Sequence, residues 1–253
     1  MKKISIITIT LNSAAYLEQT IDSVARQNYP NIEYIVVDGG STDRTIDIIK
    51  KHEAQIDKWI SEPDHGIADA MNKGLAMASG DYILFLHSDD YLVGESAISN
   101  ASQHLTHGKD IVFCSIYLEK NGTQRPHRPR GFNWWMNFKS GVYHQSAICA
   151  RSLFFKIGPF DKGFRIAMDY DFFLRAYLAG ASSLAIDLPL ASMRLVGISS
   201  KSDWVSLRER FQEERRVHSK NCRSAWMRLV YRGYWAVYLP YRKLRSLCCC
   251  GRR

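Results

Sequence analysis

Apolar residues fall along this chain in two alternating periods. Ile4-Ser-Ile-Ile-Thr-Ile-Thr-Leu11 is β-branched and almost continuous, the pattern of a strand buried on both faces. From Tyr16 to Gln27 the apolar positions Tyr16, Leu17, Ile21, Val24 and Ala25 recur at helical spacing. Tyr34-Ile-Val-Val37 then predicts a second strand, closed by Asp38-Gly-Gly-Ser. A helix is expected over 45–52, with Ser41 or Thr42 as its N-cap and Asp43 in its first turn. Another is expected over 67–78, ending at Gly80, ahead of a third strand Tyr82-Ile-Leu-Phe-Leu86. Strand, helix, strand, helix, helix, strand predicts an α/β domain with a mostly parallel sheet. Right-handed crossovers set the carboxyl ends of its strands along one edge, where such sheets bind ligands.

Beyond residue 90 the pattern loosens. A strand over 111–118, a turn at Asn121-Gly122 and a loop over 125–141 rich in Arg, Pro, Gly and Trp precede helices over 152–157 and 169–179, the second closing at Gly180. From Ser202 the chain is expected to be helical. The division is therefore a domain over 1–200 and a helical extension over 201–253.

Composition changes the picture mainly in that extension. With 253 residues, 46% hydrophobic and 23% charged, the chain has material for a sizeable core, which excludes disorder, a collagen-like repeat and a disulfide-stapled miniprotein. The net charge of +9 suggests a nucleic-acid binder until it is located. Residues 1–200 carry 20 Lys/Arg against 21 Asp/Glu, whereas residues 201–253 carry 14 against 4. Cys114, Cys149 and Cys222 stand apart and are expected as buried thiols. No secretory signal is read at the start, and no uncharged run reaches the roughly 18–20 residues of a spanning helix. The expectation is an intracellular protein that lies on a membrane if it meets one.

Chemistry enters at the strand ends. Asp38 follows the second strand, and Asp89 and Asp90 follow the third, so a parallel sheet brings three carboxylates toward one crevice. Asp38 alone also fits ordinary turn chemistry. Two adjacent aspartates gain nothing unless a cation compensates them, and sparse oxygen ligands suit Mg²⁺ or Mn²⁺ held jointly with phosphate oxygens. The turn after the first strand, Thr10-Leu-Asn-Ser-Ala-Ala15, has no glycine, and no Gly-Lys-Ser/Thr loop occurs. The dinucleotide fingerprint and the phosphate loop are thus both absent.

Four segments carry a specific resemblance: residues 4–12, Val36-Val-Asp-Gly-Gly-Ser-Thr-Asp43, Glu62-Pro-Asp-His-Gly-Ile-Ala-Asp-Ala-Met-Asn-Lys-Gly74 and Gly80-Asp-Tyr-Ile-Leu-Phe-Leu-His-Ser-Asp-Asp90. In this order they resemble family 2 glycosyltransferases of the GT-A fold, of the type that builds bacterial capsules, O-antigens and exopolysaccharides. The likeness continues through His144-Gln-Ser, Lys156-Ile-Gly-Pro-Phe-Asp161 and Ala167-Met-Asp-Tyr-Asp-Phe-Phe-Leu-Arg175, so it spans about residues 4–200.

The resemblance implies roles. Asp38 matches the carboxylate that accepts from the nucleotide base, typically uracil, and Thr10 with the loop through Asn12 matches the segment lining that base. Asp89 and Asp90 match the acidic motif that binds ribose and the metal bridging the diphosphate, with His87 standing where Asp-x-Asp proteins carry an acid. Asp169 matches the catalytic base, an N-terminal helix acid being its structural alternative. Its usual acidic neighbour is Met168 here, and Asp171 is an open substitute.

Asp69 and Lys73, on one face of the 67–78 helix, are donor contacts or an intrahelical ion pair. His144 sits near the diphosphate or in the core. Trp134-Trp135 stacks on an acceptor or anchors its loop. In the tail, Trp226, Leu229, Val230, Tyr234, Val237, Tyr238, Tyr241 and Leu244 alternate with arginines and no acid follows Glu214, which describes an in-plane helix on an anionic membrane surface, with a kink at Pro240. Cys248–Cys250 suggest S-acylation.

The function implied is metal-dependent, inverting transfer from a nucleotide-sugar, a UDP-sugar in the first instance, to a lipid-linked or glycan acceptor, at the inner face of the cytoplasmic membrane. The alternative is a nucleotide-sugar-binding assembly partner that has lost catalysis. Nucleic-acid binding by residues 215–253 is set aside because it leaves the acidic crevice unexplained.

Overall fold

The computed structural model describes residues 1–105, 108–196 and 203–250, with side chains as far as Arg245. In chain order the elements are β1 (Ile4–Thr10), α1 (Leu17–Ala25), β2 (Ile32–Asp38), α2 (Thr45–Lys51), β3 (Lys58–Ser61), α3 (Ile67–Met77), β4 (Tyr82–Phe85), β5 (Tyr91–Leu92) and α4 (Ala97–Ser102). They continue with β6 (Ile111–Lys120), β7 (Thr123–His127), β8 (Ala147–Ala150), α5 (Arg151–Ile157), α6 (Met168–Leu178), β9 (Ser183–Arg194), α7 (Trp204–Asn221) and α8 (Ala225–Cys250).

One curled sheet runs β3-β2-β1-β4-β8-β6-β9-β5, with β7 paired to β6. Strands β3, β2, β1 and β4 are parallel. Strand β8 is antiparallel to both β4 and β6, so the second half of the sheet is mixed. The β-branched runs became the central strands because helices cover both of their faces. Ile7, Ile9, Ile35, Val37 and Phe85 pack under α3, α5 and α6, and Ile4, Ile6, Tyr34, Val36 and Leu84 pack under α1, α2 and α4.

Several expectations change. Strands β3, β5 and β8 carry no clean alternation of their own and are defined by pairing partners, whereas β9, absent from the expectations, does alternate, with Leu184, Ile186, Leu188 and Leu190 at every second position. The β6–β7 hairpin turns at Asn121 (φ 50°) and Gly122 (φ 74°), the positive pair a two-residue turn demands. Neither Ser41 nor Thr42 caps α2. Arg44 holds the N-cap position, and the Asp43 carboxylate accepts the Thr45 N–H instead. Cys114 and Cys149 are buried as free thiols, and Cys222 is half-buried.

Helices α7 and α8 close a separate small core of Phe138, Leu207, Phe211, Tyr231 and Trp235. Helix α8 continues as one helix through Pro240. The expected boundary at 200/201 falls outside the described residues, as do the side chains of Cys248–Cys250. Among the described residues, no helix is long and apolar enough to cross a membrane.

Candidate active site

The carboxyl ends of β1 and β4, the 144–145 turn and the start of α6 enclose a cavity of about 530 Å³. Thr10, Asn12, His87, Asp89, Asp90, His144, Gln145 and Asp169 all line it. Residues more than 150 positions apart meet there because parallel strands deliver their carboxyl ends to one edge.

Asp90 is only 1% exposed. Its two carboxylate oxygens accept from Gln145 Nε2 at 2.9 Å and from the Arg194 backbone N–H at 3.0 Å. Burial, together with the negative charge of Asp89 beside it, pushes the Asp90 carboxyl well above the usual carboxylate range. Asp89 is pushed upward too, chiefly by burial. The guanidinium of Arg194, a residue the sequence reading missed, bonds the Asp89 carbonyl at 2.7 Å and lies over Tyr16 and Tyr91, fixing the loop from outside.

His87, treated above as a departure from the motif, belongs to this group. One donor atom each from His87, Asp89 and Asp90 can be chosen so that all lie within 4.8 Å of one another. Burial, reinforced by the neighbouring His144 ring 4.3 Å away, holds the His87 imidazole well below its ordinary pKa and so neutral. His87 Nε2, Gln145 Oε1 and Thr10 Oγ1 are buried without a hydrogen-bond partner in the protein. Buried polar atoms are rarely left so, and two carboxylates with a neutral imidazole form a donor set that fits a small divalent cation.

Asp169 stands in the first turn of α6, one oxygen accepting its neighbour's Tyr170 N–H and the other 3.5 Å from His144 Nδ1. The loop leading into it is held from α7. The Glu213 carboxylate accepts the N–H groups of Arg165, Ile166 and Ala167 at 3.0, 2.7 and 2.9 Å. Glu214, next on the same helix, is pushed up to about 7 by burial and feels the Asp169 charge. Asp171 does not reach the cavity. It is fully buried on the far side of α6 against Arg175, Lys220 and Asn221, so it cannot replace the acid missing at Met168.

Three further residues singled out from the sequence do not line the cavity. Asp38 pairs with Thr10 in the sheet register and is fully buried. Its carboxylate accepts from the Gly40 and Ser41 N–H groups and from the Ser41 and Ser61 hydroxyls. Ser41 Oγ in turn accepts the Asn12 N–H at 2.8 Å, and Asn12 Oδ1 accepts the Thr42 N–H, so Asp38 shapes the cavity wall through a hydroxyl. Asp69 accepts the His65 N–H and pairs with Lys162 at 2.7 Å, while Lys73 pairs with Glu62 at 2.8 Å. Both stabilise the turn ahead of α3, whose Gly66 (φ 107°) does line the cavity.

Trp134 and Trp135 are exposed, which removes the buried-anchor reading. Trp134 packs on Phe138, and Phe138 packs on Tyr231 and Tyr234 of α8. The tail's apolar residues divide: Val230, Tyr234 and Tyr238 join the small core, whereas Trp226, Leu229, Val237, Tyr241 and Leu244 are exposed.

Known proteins bear on the family. The model of glycosyl transferase family 2 matches residues 5–169. An uncharacterised glycosyltransferase of Mycobacterium tuberculosis is 37% identical over 203 residues, 78% of this chain and 77% of that one. A PGL/p-HBAD biosynthesis glycosyltransferase of Mycobacterium bovis is 32% identical over 185 residues, covering 68% of this chain and 69% of its own. Among solved structures, Staphylococcus aureus TarS 1–349 in complex with UDP shares the fold with a TM-score of 0.67 at 23% identity, over 88% of this chain and 67% of that one. The mannosyltransferase PcManGT of Pyrobaculum calidifontis, in complex with GDP-Man and Mn²⁺, does so with 0.70 at 16% identity, over 98% and 73%. These two likenesses establish the GT-A architecture. The sheet and the family match over most of its length lead to one assignment: the chain belongs to glycosyl transferase family 2 and is a glycosyltransferase.

Proposed function

We propose that the chain transfers a sugar, with inversion, from a UDP-linked donor to a lipid-linked or glycan acceptor of cell-surface polysaccharide biosynthesis, using Mn²⁺ or Mg²⁺. One observation carries this reading: Asp89, Asp90 and Asp169, from separate segments, line a single cavity of about 530 Å³. That is room for a nucleotide-sugar. The UDP and GDP-Man complexes of the two structural relatives support a nucleotide-sugar donor.

Asp89 and Asp90 would hold the cation, which would supply charge stabilisation for the departing diphosphate. Asp89 is the more open ligand, because both oxygens of Asp90 are already engaged by Gln145 and Arg194. Thr10 and Asn12 form the wall for the base, held by Asp38 through Ser41. Asp169 accepts the proton of the acceptor hydroxyl as that oxygen bonds to the anomeric carbon and the bond to the diphosphate breaks. His144 lies 3.5 Å from the Asp169 carboxylate, and the Tyr170 N–H holds the other oxygen.

The exposed side of α8 carries Leu229, Val237 and Leu244 with Arg228, Arg232, Lys243 and Arg245, and the exposed Trp134 and Trp135 reach this helix through Phe138. An apolar strip flanked by cations supports an in-plane seat on the anionic inner face of the cytoplasmic membrane, where a lipid-linked acceptor is presented.

Release of nucleotide from a panel of nucleotide-sugars, with Mn²⁺ or Mg²⁺ and membrane extract as the acceptor source, tests the reading. Asp169→Asn is expected to slow transfer by about 10²–10⁴-fold while donor binding persists. Unchanged turnover in Asp169→Asn would remove the base. Binding without turnover in the wild type, under every donor, would favour the assembly-partner alternative.

A further inference from the structure

We propose that His87 is itself a ligand of the cation, and that it makes this a mixed nitrogen–oxygen site which takes Mn²⁺ ahead of Mg²⁺. The inference rests on the reading that the cavity binds a diphosphate with a cation, and it assigns to a residue of this chain the choice of metal.

A purely oxygen site would need only the two aspartates and water. Here a ring nitrogen of His87 lies within 4.8 Å of a carboxylate oxygen from each aspartate. The ring is not held elsewhere. Nε2 is buried with no hydrogen-bond partner in the protein, as are both nitrogens of His144, whose ring lies 4.3 Å away. Buried ring nitrogens are usually satisfied, so this facing pair calls for a partner outside the protein, and of the two rings it is His87 that groups with Asp89 and Asp90.

A second observation points the same way. Gln145 is 5% exposed and lines the cavity, giving its Nε2 to Asp90 and leaving Oε1 without a partner. A buried acceptor beside the acidic pair suits a water carried on a metal ion.

The donor set then decides the metal. Mg²⁺ demands near-ideal octahedral oxygen ligation and dehydrates reluctantly. Imidazole nitrogen suits divalent ions of the first transition row, and Mn²⁺, which shares the oxygen preference of Mg²⁺, is the one of the two that belongs to that row. Replacing an expected acid by His87 therefore weakens Mg²⁺ more than Mn²⁺.

The full-length protein, freed of metal by chelation and loaded with Mn²⁺ in the presence of UDP, is read by pulsed electron paramagnetic resonance for ¹⁴N modulation on the Mn²⁺ signal. Modulation is expected in the wild type and in His144→Asn, and it is expected to vanish in His87→Asp, which restores oxygen at that position. Competition between Mn²⁺ and Mg²⁺ is expected to show a wild-type preference for Mn²⁺ that falls at least ~10-fold in His87→Asp. Mn²⁺ bound without ¹⁴N modulation, or modulation that survives in His87→Asp or disappears in His144→Asn, would overturn the assignment while leaving the cation in place. Failure of Mn²⁺ to bind at all, with or without UDP, would overturn it together with the metal-dependent reading.

Discussion

Two buried carboxylates show how environment sorts residues of the same chemistry. Glu33 is almost fully buried at the end of the sheet remote from the cavity, yet burial is outweighed there by donors from Ser5, Ser79 and Lys58, and its carboxyl is held well below the usual range. Asp90 is equally buried but faces Asp89, and its carboxyl moves the other way. The first arrangement is self-sufficient, whereas the second, on the reading proposed above, is completed by a cation. Glu213 is a third case, because its carboxylate serves three backbone N–H groups in the loop before Asp169. Glu213→Ala is expected to lower turnover with a stability loss of about 1–3 kcal/mol, since those N–H groups lose a charged acceptor. Denaturant melts together with nucleotide-release rates check both effects, and unchanged turnover would show that the loop keeps its shape without Glu213.

Among the elements, the link between α3 and β4 is set by a close approach between backbones. Helix α3 ends at Met77, and the reason for glycine at position 80 is neither helix termination nor a positive φ. A β-carbon there would lie 2.7 Å from the Ser5 backbone nitrogen and 3.0 Å from the Lys3 carbonyl oxygen. Gly80→Ala is therefore expected to destabilise the fold by about 1–3 kcal/mol through overpacking, read as a lowered denaturation midpoint with an unchanged slope. Equal stability would mean that β1 yields at Ser5. Helix α7 has the converse role: its sequence looks like a solvated basic helix, but Glu213 reaches across to the cavity loop.

Over the whole molecule, a buried chain of hydrogen bonds joins the extension to the catalytic half. Trp235 Nε1 donates to His218 Nδ1 at 2.9 Å, so the proton of this imidazole sits on Nε2 and is donated to the Tyr170 hydroxyl at 2.8 Å. Tyr170 then donates to the Met136 carbonyl at 2.9 Å. Burial lowers the His218 pKa to about 4. Above pH ~6.5 both folded and unfolded states hold it neutral; below that the unfolded state alone takes the proton, so its contribution is lost between pH ~6.5 and ~4. Wild-type stability is expected to fall about 3 kcal/mol more across that window than His218→Gln stability does. Equal pH slopes in chemical denaturation would contradict the neutral buried ring. The exposed cations of α8 give a separate expectation: Arg228→Gln with Arg232→Gln should weaken binding to phosphatidylglycerol vesicles by ~30-fold at low salt, at ~1 kcal/mol per charge. Co-sedimentation measures it, and binding that is unchanged, or equal on neutral vesicles, would remove the membrane seat.

The strands and helices of the first half were legible in the sequence because each is buried by its own periodic apolar face, and order and right-handed crossovers then place Thr10, Asp38, Asp89 and Asp90 at one edge of the sheet. The glycine-free turn after β1 and the lack of a Gly-Lys-Ser/Thr loop likewise excluded the dinucleotide fingerprint and the phosphate loop without any coordinates. Only the tertiary structure decided which of those residues face the cavity, because a side chain's partners come from segments distant in the chain. Asp38 turned inward onto Ser41 and Ser61, Asp69 was taken by Lys162, and Asp171 by Arg175 and Lys220. Pairing alone defined β3, β5 and β8, since strands of two to four residues carry no local signal strong enough to name them, whereas the alternating Leu184, Ile186, Leu188 and Leu190 of β9 were a signal the sequence reading missed. The nearness of His87 to the acidic pair was legible, since it precedes Asp89 by two positions, whereas the place of Glu213 beneath the Asp169 loop depends on packing across the fold, which no local pattern of residues encodes.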